Sequence, residues 1–268
     1  MKLSIGKAWE EASAFLSKEA RLVAPVALAT FALPAVLADW AYPGGSGGGN
    51  AGLLLILVLL VVLIGQMTIV LLAAGWSGSI GEAMTKAVRR LPILIAALLI
   101  FFVPVLLVVT LGFGATLASA GLTDPAAVTP EALASLPKIR WLLLFLTLFF
   151  IIVGVRLFPV SAIAVSEAVG PLKLLKRSWE LTRGVFWRVL VVLLLLAIAA
   201  LLLDYAITVV VGSVATLAAG EPRPFNLSAL IVAVPAGLAG AMVSSVSAAM
   251  VGRVYAQLSA AETSVPKN

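Results

Sequence analysis

The sequence predicts an all-α integral membrane protein, a polytopic transmembrane helical bundle of about six spans. Apolar residues make up 62% of the 268 positions and charged residues only 11%, and the mean hydropathy is +1.17. Soluble domains carry about 25% charged residues, so most of this molecular surface must face lipid. Six apolar stretches reach the length of about 20 residues that crosses a hydrocarbon core about 30 Å thick. Because lipid cannot satisfy free backbone groups, such segments are helical.

The six apolar stretches define the expected spans, and polar or glycine-rich connections separate them. We expect spans at residues 21–40, 52–74, 91–118, 141–165, 186–210 and 228–251. The glycine-rich segment 42–50 is typical of a flexible connector. After the third span, Thr129-Pro130-Glu131 has the cap, first-turn proline and acidic residue that begin a short helix. The whole chain, residues 1–268, is predicted to form a single integral membrane domain.

Lysine and arginine residues are distributed unequally between alternate loops, and this distribution predicts the orientation of the chain. Fourteen of the 18 fall in one set of connections, three fall in the other, and Arg156 lies within the fourth span. Basic residues are retained on the cytoplasmic side of a membrane, so both termini are expected in the cytoplasm. The fourteen are Lys2, Lys7, Lys18, Arg21, Lys86, Arg89, Arg90, Lys173, Lys176, Arg177, Arg183, Arg188, Arg253 and Lys267. The three on the other side are Lys138, Arg140 and Arg223.

An internal repeat precedes two of the spans. Residues 4–12 and 79–87 share five of nine residues at an offset of 75, and both segments are amphipathic. Ser4 and Ser79 occupy the positions expected of helix N-caps. A third unit with a weaker match begins near residue 167. We expect interfacial amphipathic helices on the cytoplasmic side, which either pack as elbows against neighbouring spans or contact lipid or a partner protein.

The third unit carries the most specific sequence pattern in the chain. Residues 166–184 read Ser-Glu-Ala-Val-Gly-Pro-Leu-Lys-Leu-Leu-Lys-Arg-Ser-Trp-Glu-Leu-Thr-Arg-Gly, and Phe186-Trp187-Arg188 and a long Val/Leu run follow. This pattern resembles the glycerophosphoryl diester phosphodiesterase membrane-domain family. In that family the membrane region stands alone or precedes a separate catalytic domain that cleaves glycerophosphodiesters. The resemblance covers only the membrane part, and it implies a protein of the bacterial inner membrane.

The chain contains no histidine and no cysteine. The catalytic domains of the resembled family use paired histidines with metal-binding carboxylates, so their activity is not expected in this chain. The same composition excludes thiol nucleophiles, histidine bases, and metal sites built from thiolate or imidazole ligands. We therefore expect no enzymatic activity, no cofactor and no metal.

Two sets of charged and aromatic residues are the candidate sites. The residues expected to contact lipid headgroups are Lys176, Arg177, Trp179, Arg183, Trp187 and Arg188. The candidate intramembrane polar set is Arg156, Glu167 and Asp204. Helix rise places Arg156 and Asp204 at depths that differ by about 20 Å, so the two are not expected to pair. Arg156 is expected to snorkel to the interface, with Glu167 as its nearer candidate partner.

These observations favour a non-enzymatic inner-membrane protein that interacts with lipids or is accessory to a membrane process. The alternative is a small-molecule or lipid transporter, which would need convergent polar groups near the bilayer midplane. Gln66, Thr68 and the serines at 244, 245 and 247 are predicted to pack helices together. The expected partners are membrane lipids, with a membrane protein or a second copy of the chain as alternatives. No nucleic-acid partner is expected, because the basic residues follow the membrane topology.

Overall fold

The computed structural model describes residues 4–45, 49–121, 129 and 136–263, and within these residues the chain is helical with no β-strand. The helices are α1 (Ile5–Lys18), α2 (Ala20–Ala41), α3 (Gly49–Ala73), α4 (Ile80–Ser119), α5 (Pro137–Leu157), α6 (Val160–Ser166), α7 (Pro171–Leu181), α8 (Phe186–Ala219) and α9 (Leu227–Thr263). The predicted all-α fold class is confirmed.

Six helical segments of the described residues are long and apolar enough to cross a membrane, as the apolar stretches predicted. They are Ala20–Ala41, Gly52–Ala73, Ile80–Ser119, Pro137–Ser166, Phe186–Ala219 and Leu227–Glu262. The first two match the predicted spans closely, whereas the other four are longer and contain 30 to 40 residues. At a rise of 1.5 Å per residue, the 34 residues of α8 extend over about 51 Å and exceed a hydrocarbon core of about 30 Å.

The largest departure from the predicted boundaries is α4, in which the second repeat unit and the third span form one helix of 40 residues. Ser79 begins it with a capping box. The Ser79 hydroxyl accepts a hydrogen bond from the Glu82 N–H at 3.2 Å, and the Glu82 carboxylate accepts one from the Ser79 N–H at 3.1 Å. Pro92 lies inside the helix without ending it. The second repeat unit is therefore not a separate helix, and the predicted span 91–118 lies within this longer one.

The first and third repeat units form separate amphipathic helices, α1 and α7. The Ser4 hydroxyl accepts a hydrogen bond from the Lys7 N–H at 3.4 Å, so both predicted serine N-caps are confirmed. α1 packs against α9 and buries Ala8 and Ala12, whose small side chains permit close approach of the two helices. α7 packs against α4, α5 and α6.

α9 lies at the centre of the bundle and contacts α1, α2, α3, α6 and α8. Its glycines permit this close packing: a Cβ on Gly252 would lie 2.6 Å from the carbonyl oxygen of Val70 in α3. A Cβ on Gly237 would lie 2.5 Å from the side chain of Val36 in α2. By contrast, α8 exposes most of the side chains in its second half, such as Leu217. The tightly packed part of the bundle is therefore the α2, α3 and α9 side, and α8 borders it loosely.

The bundle has two distinct ends. One of them, termed the basic end, holds α1, α7 and the C-terminal turns of α9 and carries most of the described lysine and arginine side chains. These are Lys7, Lys18, Arg21, Lys86, Arg89, Arg90, Lys173, Lys176, Arg177, Arg183, Arg188 and Arg253. At the opposite end the Trp40 indole donates a hydrogen bond to the Asn226 carbonyl at 3.1 Å and packs edge-on against Phe225.

Two spanning helices contain a π-helical turn, Leu28–Ala32 in α2 and Ile207–Val211 in α8. Such turns are rare and are frequent at functional sites. The turn in α8 does not end the helix, which continues to Ala219. The helix therefore extends nine residues beyond the span end predicted at residue 210.

Parts of two predicted connections lie outside the described residues. The glycine-rich connector includes a 3-10 turn at Pro43–Gly45, where Gly44 has a φ of +66°, and residues 46–48 are outside the description. In the loop after α4, residue 129 is described but its neighbours 122–128 and 130–135 are not. The helix predicted to begin at Thr129-Pro130-Glu131 therefore also lies outside the described residues.

Candidate functional site

α7 presents a basic and aromatic surface at the basic end of the bundle. The helix buries Leu174, Ser178 and Leu181 toward its neighbours. The exposed basic and aromatic residues of its other side and of the start of α8, together termed the α7 surface, are Lys173, Lys176, Trp179, Arg183, Trp187 and Arg188; Leu172 and Glu180 are also exposed there. Trp187 is 74% exposed and Trp179 is 43% exposed. Five of the six residues predicted to contact headgroups therefore lie on one surface.

Arg177, the sixth of these residues, is bound by carboxylates of the protein itself. Its guanidinium donates to both oxygens of the Glu262 carboxylate, from Nη1 to Oε1 at 3.0 Å and from Nη2 to Oε2. Its Nε donates to Glu167 Oε1 at 3.3 Å, and the same oxygen accepts a hydrogen bond from the Tyr255 hydroxyl at 3.1 Å. The Arg177 side chain is 28% exposed. Arg177, Glu167, Glu262 and Tyr255 are together termed the Arg177 cluster. The headgroup contact predicted for Arg177 stays a prediction.

The Arg177 cluster connects α7 and the residue that follows α6 to the C-terminal turns of α9. Hydrogen bonding to Glu262, and then to Glu167, raises the pKa of Arg177 above its ordinary value, although burial opposes this effect. Bidentate pairs between arginine and carboxylate are among the stronger polar contacts in proteins. Sequence reasoning missed both Glu262 and Tyr255, because Glu262 is 85 positions from Arg177 and no motif spacing links them. The one available signal was a lone carboxylate in the last turns of a largely apolar helix.

Arg156 extends from α5 to the C-terminal turn of α7. Its Nη1 donates to the Trp179 carbonyl and to the Thr182 hydroxyl, both at 3.4 Å. Its guanidinium lies 5.0 Å from the centre of the Trp179 ring and 5.6 Å from that of Phe186. The Ser178 hydroxyl donates in turn to the Arg156 carbonyl at 2.6 Å. Because a cation is favoured at a helix C-terminus, Arg156 stabilises the docking of α7 on α5.

The other two residues of the predicted intramembrane set lie apart from Arg156. Glu167 belongs to the Arg177 cluster, so the prediction that it pairs with Arg156 is wrong. Asp204 lies in α8 toward the opposite end of the bundle. Together with Ser244, Asp204 lines a cavity of about 250 Å³. Arg156 and Asp204, which are both described, form no ion pair, as their predicted depths require.

A cavity of about 470 Å³, termed the central cavity, lies between α3, α4, α5, α6, α8 and α9. Its walls are mostly apolar, and the polar side chains among its described lining residues are Gln66, Ser161 and Ser247. Ser161 is only 4% exposed. None of the three side chains forms a hydrogen bond to another described residue. The packing role predicted for small polar residues therefore fits Thr68, which donates to the Ile64 carbonyl at 2.7 Å, better than it fits Gln66 and Ser247.

An apolar groove of about 630 Å³ follows the seam between α8 and α9 and reaches α1. Trp9 of α1 lines it at the basic end, and Leu203 of α8 lines it further toward the opposite end. Leu196 and Val243 line both this groove and the central cavity. The two spaces are therefore neighbours across the α8 and α9 seam.

No protein-family model, no curated protein and no solved structure matches the chain. The resemblance of residues 166–184 to the phosphodiesterase membrane-domain family thus stays a prediction. The features that bear on function are the α7 surface, the Arg177 cluster, the central cavity and the groove beside it.

Proposed function

We propose that this integral membrane protein is non-enzymatic, binds anionic phospholipids at its basic end and is accessory to a membrane process. The α7 surface is the observation that carries the proposal. Four basic side chains and two indoles are exposed there, while Arg177 beside them is occupied by Glu167 and Glu262. Exposed indoles are typical of the membrane interface, where the ring lies among the headgroups. Basic side chains at the same level attract the phosphates of anionic lipids.

The charge balance of the α7 surface favours an anionic ligand. Each basic residue near an anionic membrane surface contributes about 1 kcal/mol, so four contribute roughly 4 kcal/mol at low ionic strength. Lys176 lies 3.9 Å from Glu180, but both side chains are more than half exposed, and such a pair contributes little. The attraction should weaken in high salt, because the Debye length falls from about 10 Å at 0.1 M to about 3 Å at 1 M.

The proposal includes an orientation, with the basic end and both termini on the cytoplasmic side of a bacterial inner membrane. Support comes from the excess of basic residues in alternate loops, 14 against three, and from the anionic lipids of the cytoplasmic leaflet. A compartment-dependent reporter fused at residue 268 should give a cytoplasmic signal. A periplasmic signal would exclude this orientation.

A pair of charge variants tests the lipid contact. Lys173 and Arg183 are exposed on the α7 surface, and replacement of both by Gln removes two positive charges without touching the Arg177 cluster. Lys138 and Arg223 are exposed toward the opposite end, so their replacement by Gln removes the same charge elsewhere. After purification in a neutral detergent, phosphatidylglycerol per protein molecule is measured by lipid mass spectrometry.

We expect phosphatidylglycerol per protein to fall at least twofold in the Lys173→Gln/Arg183→Gln variant, because the removed charges face the headgroups. The Lys138→Gln/Arg223→Gln variant should retain the wild-type amount. A similar loss in both variants would indicate a general response to net charge. An unchanged amount in the first variant would show that the α7 surface does not hold the lipid, and either result would contradict the proposal.

One observation favours the alternative function, a small-molecule or lipid transporter. The central cavity is lined where α5 ends at Leu157 and α6 begins at Val160, so an interrupted membrane helix borders a polar site. Transport sites commonly lie at such interruptions near the midplane. Reconstituted vesicles with a fluorescent neutral lipid in one leaflet test this alternative. Protein-dependent exchange between leaflets would support transport, and exchange at the rate of protein-free vesicles would argue against it.

A further inference from the structure

We infer that the central cavity binds the uncharged, hydroxyl-bearing head of a membrane lipid, whose chain lies in the groove between α8 and α9. This site is separate from the α7 surface and stands whether or not that surface binds anionic lipid. It requires polar groups that line the cavity and are not bonded within the described residues, walls without charge, and an apolar space beside the cavity for the chain. Each of these is found in the described residues.

The hydroxyl groups of the bundle differ in whether they are hydrogen-bonded to another described residue. Within the apolar helices, serine and threonine commonly donate to the carbonyl four residues earlier. Thr30 donates to the Val26 carbonyl and Ser245 to the Ala241 carbonyl, both at 2.7 Å. Ser247, only two residues beyond Ser245, forms no hydrogen bond to a described residue and lines the central cavity.

The lining of the central cavity combines donors and acceptors without charge. Gln66 contributes an amide with two donors and an acceptor, and Ser161 and Ser247 contribute hydroxyls that donate and accept. No lysine, arginine, aspartate or glutamate occurs among the described lining residues. A charged head would lose its hydration there without an opposite charge, whereas a hydroxyl-bearing head could hydrogen-bond to all three side chains. The lining therefore favours an uncharged ligand with free hydroxyl groups.

The adjacent groove supplies a place for the chain of the same lipid. Leu196 and Val243 line both spaces, so the cavity and the groove meet at these two side chains, with the head on one side of them and the chain on the other. From Val192 to Leu203 the α8 wall of the groove rises about 16 Å, close to half of a hydrocarbon core about 30 Å thick. One acyl chain of one leaflet has that reach. The groove lining is almost entirely apolar, as a chain requires, and it ends at Trp9 on the basic side.

The binding test uses two lipids with the same chain. The full-length protein in a neutral detergent is titrated with 1-monooleoylglycerol, which has two free hydroxyls, and with methyl oleate, which has none. Complexes are counted by native mass spectrometry. We expect a one-to-one complex with 1-monooleoylglycerol at concentrations at least tenfold lower than with methyl oleate, because a site built to hydrogen-bond hydroxyls discriminates against a ligand that lacks them. Equal binding of both lipids, or no complex with either because water alone fills the cavity, would overturn the inference.

Matched serine variants locate the binding. Ser161→Ala/Ser247→Ala should weaken binding of 1-monooleoylglycerol at least tenfold and leave methyl oleate unchanged. The melting temperature should not change, since neither hydroxyl has a partner among the described residues. Ser245→Ala, which removes a hydroxyl that is already bonded to Ala241, should bind the lipid like the wild type. Wild-type affinity in the double variant, or an equal loss in Ser245→Ala, would refute the site.

A further variant tests the place where the central cavity and the groove meet, and it alters no polar group. Val243→Phe adds bulk at a position shared by the cavity and the groove. It should weaken 1-monooleoylglycerol binding, because the head and chain could no longer occupy both spaces together. Unchanged binding in this variant would show that the chain takes another course and would overturn the joint site.

Discussion

The Arg177 cluster and the central cavity both place polar side chains within a largely apolar bundle, but they differ in how those groups are satisfied. Arg177 joins the carboxylates of Glu167 and Glu262 within the chain itself. Ser161 and Ser247 have no hydrogen-bond partner among the described residues. Ser161 is only 4% exposed, whereas Ser247 is half-buried, and both hydroxyls line the central cavity. The cluster joins helices through bonds within the chain, whereas the polar groups of the cavity are the ones that we infer to bind a lipid head.

The largest expected effect is at the Arg177 cluster. Arg177→Met would leave two carboxylates, with side chains only 25% and 28% exposed, without their cation. Loss of one member of a buried pair costs about 3 to 5 kcal/mol, and partial exposure reduces this to about 3 kcal/mol. The free energy of unfolding is measured from the SDS concentration that unfolds the protein in mixed micelles.

Lys176→Met is the matched control, because Lys176 is adjacent in sequence and its ion pair with Glu180 is exposed. It should lower the free energy of unfolding by less than about 1 kcal/mol. Equal losses in the two variants would contradict the view that the Arg177 cluster holds α7 to α9.

Two glycine variants on α9 compare its closely packed contact with α3 and its looser seam with α8. Gly252→Ala places a Cβ 2.6 Å from the Val70 carbonyl and 2.8 Å from the Ala73 Cβ, neither of which can rotate away. Overpacking of this kind costs about 2 kcal/mol. Gly240→Ala, on the same helix, meets no atom within 4 Å and should be neutral or slightly stabilising. The same SDS titration measures both, and a neutral Gly252→Ala would show that α3 and α9 are less closely packed.

A structural feature is predictable from the sequence when the interactions behind it join residues that are close in the chain. The apolar runs predicted six spans because length and hydropathy are local properties, and Ser4 and Ser79 predicted helix starts because capping is local too. The end of a helix was less predictable. At residue 91 a change from amphipathic to apolar composition predicts the start of a span, yet the helix α4 continues through this position without a break.

The candidate site was less predictable because its contacts join distant parts of the chain. Basic charge on the α7 surface was visible in the sequence, but the choice of Arg177 for an internal ion pair depends on Glu262, 85 residues away. Gln66 and Ser247 resemble helix-packing residues in sequence, and only their position beside the break between α5 and α6 shows that they line a cavity. Local sequence patterns predict which face of a helix is apolar and which residue caps it. The hydrogen-bond partner of a side chain depends on tertiary packing.

Arg156→Met tests a second polar contact at the basic end, the one between Arg156 of α5 and the C-terminal turn of α7. It removes the cation at the C-terminus of α7 and its contacts with the Trp179 and Phe186 rings. The dipole and ring contributions together suggest a loss of about 1.5 kcal/mol. Hydrogen exchange of the α7 amides should accelerate more than that of the α1 amides. Lys138→Met, at the opposite end of α5, should leave α7 exchange unchanged, and faster exchange in both variants would remove the specific role of Arg156.

The smallest expected effect is that of a serine-to-alanine substitution, made once beside the Arg177 cluster in α7 and once in the central cavity. Ser178→Ala removes a fully buried hydroxyl that donates to the Arg156 carbonyl at 2.6 Å, so it should lower the free energy of unfolding by about 1 kcal/mol. Ser247→Ala removes a hydroxyl with no partner among the described residues, so the change should be close to zero. With 1-monooleoylglycerol present, the wild type should become more stable while Ser247→Ala gains less, because ligand stabilisation follows affinity. If Ser247→Ala instead costs as much as Ser178→Ala without lipid, its hydroxyl is already satisfied and the contrast between the two regions fails.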